Sequence, residues 1–193
     1  MKLPITLFFI VLIAGIAFYF FSKKRQSADW VCKTCGKVHS GLPTSFGSEA
    51  PWREYVIESE FASRVELTPD MCVIDSKTFM VRGLIELPIH GHSQSLSIAV
   101  WTSLSEQSYR HMIDHWGDPN RATSAPYFGW LLTQLPGYPQ TLHLKSRVHS
   151  QPPGVAPQIE LEPTDHPLAV EQREGISVAR WEELVGLFGA AKR

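Results

Sequence analysis

Hydrophobic positions follow one another along this chain in three patterns: an unbroken block, a set of runs with period two, and two stripes at helical spacing. The block comes first. Residues 3–21 carry no charge, and only Pro4, Thr6, Gly15 and Tyr19 interrupt their aliphatic and Phe content. At ~1.5 Å rise per residue such a helix is about 28 Å long, against a hydrocarbon core of about 30 Å. The run continues into Ser22-Lys23-Lys24-Arg25 with no small-x-small cleavage site, so it reads as an uncleaved anchor rather than a signal peptide. Three cationic side chains follow it, against Lys2 and the α-amino group before it, which puts the remainder on the cytoplasmic side. The expectation is a single-pass protein of the inner membrane that contacts the lipid bilayer through residues 3–21. Residues 1–28 are then a transmembrane anchor with a basic linker, and residues 29–193 one soluble domain.

Within that domain the period-two runs predict strands. Residues 71–74 form a short one and residues 78–89 a long one, with Gly83 as a candidate bulge. In 95–104, Leu96, Ile98, Val100 and Thr102 alternate with Ser97, Ala99 and Trp101. Residues 127–135 and 141–149 read as two strands joined by the turn Pro136-Gly137-Tyr138-Pro139, and 155–161 as an edge strand between prolines. Helical spacing appears at Tyr109, Met112, Ile113 and Trp116, after a capping box from Ser103 to Glu106, and at Val178, Trp181, Leu184, Val185 and Phe188, capped by Ser177. Residues 52–63 hold a less regular apolar face, with Trp52, Tyr55 and Val56. Strands outnumber helices and come in adjacent runs. This predicts an α+β fold: a mainly antiparallel sheet with a few helices on one face, preceded by one transmembrane helix.

Charge narrows the function classes. Four of the 18 Lys and Arg residues belong to the first 28 positions, leaving 14 against 19 Asp and Glu, a net of −5 for the domain. That balance gives no electrostatic case for nucleic acid. Three cysteines are too few for a disulfide framework in a chain this long.

The sharpest chemical signal is Cys32-x-x-Cys35-Gly36-x-x-His39. Two Cys three apart can turn both sulfurs onto one ion, the Gly lets the turn close, and imidazole completes a ligand set that zinc prefers. The fourth ligand is open between Cys72 and a distant His such as His166. Cys72 would give a closed, structural three-sulfur, one-nitrogen site, although Met71-Cys72-Val73-Ile74 also reads as a plain core strand. A metal-free turn and a redox dithiol are the rival readings of Cys32 and Cys35. Elsewhere, His90-Gly91-His92 reads as an exposed hairpin tip, and His111 and His115 as a solvated helix face. The segment Pro126-Tyr127-Phe128-Gly129-Trp130-Leu131 is dense in aromatics. With Pro136-Gly137-Tyr138-Pro139 it reads either as core strand plus turn or as the lining of a groove for a peptide or small ligand.

Cys32-Lys33-Thr34-Cys35-Gly36 with His39, Gly41-Leu42-Pro43, Cys72-Val73-Ile74-Asp75, Arg82-Gly83, Tyr127-Phe128-Gly129-Trp130-Leu131, Tyr138-Pro139-x-Thr141-Leu142, His166-Pro167-Leu168-Ala169 and Gly175-Ile176-Ser177 together carry a resemblance. They resemble a bacterial family known only as domain-of-unknown-function family 2199, over nearly all of residues 30–188. The resemblance implies no activity. It implies that the knuckle and the Cys72 strand belong to the domain's pattern, which favours zinc held by Cys32, Cys35, His39 and Cys72.

Two functional expectations follow. One is a membrane-anchored, zinc-stabilised module that binds a protein or peptide. The other is a zinc-dependent hydrolase, with Cys32, Cys35 and His39 on the ion, water in an open fourth position and Asp75 as general base.

Overall fold

The computed structural model describes residues 30–31, 36–39 and 41–190. The chain divides into two compact units, Met1–Leu42 and Pro43–Arg193. In the first, the described backbone is a two-stranded antiparallel pair, β1 (Trp30–Val31) with β2 (Val38–His39).

The second unit is built on one long hairpin, β6 (Thr78–Pro88) and β7 (Ser95–Leu104), paired from Phe79↔Leu104 to Pro88↔Ser95. Each of these strands is long enough to share its outer edge between two partners. The first half of β6 takes β5 (Met71–Ile74), itself paired with β4 (Val65–Leu67), and its middle takes β10 (Gln158–Leu161) at Leu84. Beside β7 lie β3 (Ser45–Phe46) at Ser97 and Ile98, and further along a bridge from Leu131 to Thr102. Leu131 directly continues β8 (Tyr127–Trp130), which pairs with β9 (Lys145–His149), which pairs with β10. The sheet therefore curls until β8 returns to β7.

Two pairings, β10 with β6 and β3 with β7, are parallel, so the sheet is mixed. The expected antiparallel sheet is corrected to that extent, five of its seven strand pairings among the described residues being antiparallel. Period-two patterning marks which residues are strand but carries nothing about the direction from which a distant segment arrives.

Among the described residues four helices flank the sheet: α1 (Phe61–Arg64), α2 (Glu106–Asp114), α3 (Pro167–Glu174) and α4 (Val178–Ala190). Register places Phe79, Val81, Ile85 and Leu87 of β6 on one face with Leu96, Ile98, Val100 and Thr102 of β7. Onto that face come Tyr109 of α2, whose ring lies 5.0 Å from that of Phe79, and Phe188 of α4, 4.9 Å from Phe46. The opposite face carries a second apolar cluster: Cys72, Ile74, Met80 and Trp101 under Trp52, Val56, Val65 and Leu132, with Phe61 of α1 packed against it. Helices on one face only is thus also corrected. The irregular segment from Pro51 covers the second face through two 3-10 turns (Pro51–Glu54, Glu58–Glu60) and α1.

Local signals were sound where the chain decides locally. Ser177 caps α4, its Oγ accepting from Arg180 N at 3.1 Å. In α2 the cap is Ser105, accepting from Ser108 N at 3.1 Å, two positions after the expected Ser103, which lies inside β7. The expected span at residues 3–21 lies outside the described residues. Among those described, no helix is long and apolar enough to cross a membrane. The expected single-pass placement in the inner membrane is therefore not borne out among the described residues.

Candidate functional site

The ring of strands closes at β8. A Cβ on Gly129 would overlap Ser103 O and lie 2.6 Å from Thr102 Oγ1, so only glycine lets the two strands approach this closely. Gly83 does the same opposite, where a Cβ would meet Ile159 and Pro157 O at 2.6–2.7 Å. Hydroxyls line the seam. Thr102 Oγ1 donates to Trp130 O at 3.0 Å and lies 3.0 Å from Ser146 Oγ, which reaches Gly129 O at 3.1 Å. Two hydroxyl protons serve three contacts, so Ser146 divides its proton between Thr102 and Gly129. Trp130 N donates to Ser103 Oγ and Trp101 N to Thr133 Oγ1. Side-chain oxygens thereby satisfy donors that a regular ladder would pair.

This closure fixes what the outer wall shows. On β8, β9 and β10 the inward set Val148, Ser146, Ile159 and Leu161 is buried, and Gly129 with it. Strand alternation then forces Phe128, Trp130, Lys145, Arg147 and Glu160 outward. Phe128 is 47% exposed and Trp130 40%, and their rings meet edge to face at 5.2 Å. Phe128 lies directly across from Arg147, and Trp130 from Lys145. Lys145 Nζ sits 6.0 Å from the Trp130 ring centre and 4.0 Å from Glu162. His149 takes the Glu160 carboxylate at 2.7 Å. The wall thus shows three columns: aromatic on β8, basic on β9, acidic on β10 and just beyond it. The core-strand reading of residues 126–131 holds for alternate residues only. Gly129 and Leu131 are core, whereas Phe128 and Trp130 face solvent.

The residues expected to hold metal are placed differently. Cys32 and Cys35 lie outside the described residues, as does the side chain of His39. Cys72 is a free thiol with no exposure, inside the apolar cluster of the second face, and burial pushes its pKa from the ordinary 9.0 to about 11. Among the described residues no group of three or more His, Cys, Asp or Glu could hold a metal ion. The zinc expectation thus finds no site among the described residues, and Cys32, Cys35 and the His39 side chain, which it needs, are not among them. Asp75, the candidate general base, receives Arg64 at 2.8 and 2.6 Å. That guanidinium holds its carboxyl below the usual carboxylate range, making it a weaker base.

The histidines singled out in sequence serve the fold. His90 Nε2 meets Glu174 O at 2.8 Å, and His92 packs edge-on to Trp181. His111 and His115 stack at 4.3 Å, with His111 Nδ1 2.9 Å from Tyr127 OH. His166 caps α3, Nδ1 accepting from Leu168 N at 3.2 Å. An open pocket of about 380 Å³ lies beside Trp52, Phe61 and Leu67. Arg53 satisfies its polar rim internally, pairing with Glu49 at 3.7 Å and Glu58 at 3.0 Å.

Fold and site together define a class: an α+β domain whose curled mixed sheet presents an aromatic and cationic wall to solvent. The chain belongs to a family of uncharacterized proteins conserved in bacteria, DUF2199, which it matches over residues 31–176. No curated protein and no solved structure matches it.

Proposed function

We propose that the domain is a protein- or peptide-binding module whose contact surface is the outer wall of β8 and β9. The observation that carries this reading is the adjacent pair Phe128 and Trp130, large aromatics held in solvent by strands whose other face is buried. Leaving two such rings in water forgoes the ~25 cal/mol per Å² that their burial would contribute. Rigid aromatic side chains next to Lys and Arg are what binding hot spots are made of. The strands beneath them are fixed by the hydroxyl seam, so a partner would meet a preorganised surface and lose little in ordering it.

Selection of short random peptides on the full chain tests the reading. Ligands so obtained are expected to bind Trp130→Ala at least about tenfold more weakly, a loss of ~1.4 kcal/mol. Equal binding to the native protein, Phe128→Ala and Trp130→Ala would remove this wall as the contact surface.

A further inference from the structure

The chemistry of the partner can be read from the three columns, taking the binding role just proposed as given. On the basic column the two cations differ. Lys145 has Glu162 within 4.0 Å, and the nearest acid to Arg147 by register, Glu160, gives its carboxylate to His149. Arg147 is exposed and has no ion pair among the described residues. It sits directly across from Phe128 and one step diagonally from Trp130. A guanidinium presents a planar fork of donors that fits a carboxylate in two parallel bonds, next to rings that take an apolar side chain.

We infer that the wall binds an extended acidic peptide segment in which a carboxylate and an apolar or aromatic side chain alternate. The carboxylate pairs with Arg147, and the apolar side chains lie on Phe128 and Trp130. Extended backbone repeats its side chains every second residue, about 6.6–6.8 Å apart, which is also the step from Phe128 to Trp130 along β8. Charge sets the occupant. The acids Glu160 and Glu162 line one side of the cations, so a long polyanion lying across the wall meets repulsion there. A short segment that sets a single carboxylate on Arg147 meets less of it, because Glu160 is turned to His149 at 2.7 Å. The domain's net charge of −5 opposes a nucleic-acid backbone in the same way.

Fluorescence anisotropy on the full chain separates the outcomes. The probes are three labelled peptides of equal aromatic content, alternating aromatic residues with Glu, Gln or Lys, and an oligothymidylate. The Glu peptide is expected to bind at least about tenfold tighter than the Gln peptide, with the difference shrinking as salt rises. Arg147→Gln, which removes the charge without setting a second acid across from Glu160, is expected to leave thermal unfolding unaltered and should abolish that preference. Trp130→Ala should weaken every peptide. If Glu and Gln peptides bind alike while Trp130→Ala still weakens both, the acidic-partner inference falls and the binding wall stands. If Trp130→Ala changes nothing, the wall itself falls. Tighter binding of oligothymidylate than of the Glu peptide would overturn the inference in favour of a nucleic acid.

Discussion

Arg121 shows how much one side chain can hold. It is 4% exposed, and its guanidinium donates to the carbonyls of Gln151, Trp116, Pro152 and Val155 while lying 4.4 Å from the Trp116 ring centre. Five donors in a fixed fork satisfy four acceptors that would otherwise be stranded under a loop. Arg121→Ala is expected to cost about 3 kcal/mol in urea unfolding, and Arg121→Lys about 2, because an ammonium cannot span the same carbonyls. A loss below ~0.5 kcal/mol in both would show that water replaces the fork. Cys72 makes a different residue-scale claim. Its folded pKa of about 11 lies above the ordinary 9.0, so between those values the unfolded chain has released a proton that the native one keeps. The stability it supports is whole below pH 9 and falls as pH rises through that window. With Cys32 and Cys35 replaced by Ser, Cys72→Ala should flatten the alkaline decline in stability. An unchanged slope would assign the decline to other groups, such as Tyr138, raised by burial and by the Glu171 carboxylate its hydroxyl meets.

Among elements, the critical contact is β8 against β7. Gly129→Ala drives a methyl into backbone, which cannot move aside as a flexible side chain would, and is expected to destabilise by about 2–4 kcal/mol. Gly117→Ala, with open space and no positive φ, should stay within ~0.5 kcal/mol. Equal effects at both sites would mean the seam opens without cost. Element identity was legible wherever pattern and caps are local: β5 and β7 run over the expected residues, and α4 starts at its expected cap. By contrast α3 went unseen, because its signal is brief: His166 as cap, Pro167 at the first position and two buried residues, Leu168 and Ala169. The strand expected over 127–135 ends at Trp130, and Leu131 bridges β7 at Thr102 while its backbone still bonds to His143 and Leu144 just before β9.

For the molecule as a whole, the hairpin β6–β7 is the common support, buried on both faces and paired along both edges. Native-state amide exchange should be slowest in its central residues and much faster in β4, which pairs only with β5 among the described residues. Comparable protection in β4 and β7 would show that the unit opens only by global unfolding. The exposed wall follows from the same architecture, since curling the sheet to bury Ser146, Val148 and Ile159 leaves Phe128, Trp130 and Arg147 no place but outside.

Sequence alone determined the strands β5, β6 and β7, the helices α2 and α4, the α+β class, the acidic balance of the domain and the family to which the chain belongs. These depend on neighbours a few positions apart and on composition, which periodicity and caps record directly. Tertiary structure alone decided that the sheet is mixed and curled, that Cys72 is a core thiol, and that one aromatic strand faces water. Each of these depends on which distant strand arrives beside β6 and β7, and from which direction. Loop-spanning encounters of that kind leave no period in the chain, only scattered residues such as Gly83, Thr102, Gly129 and Ser146 whose purpose is visible once the strands have met.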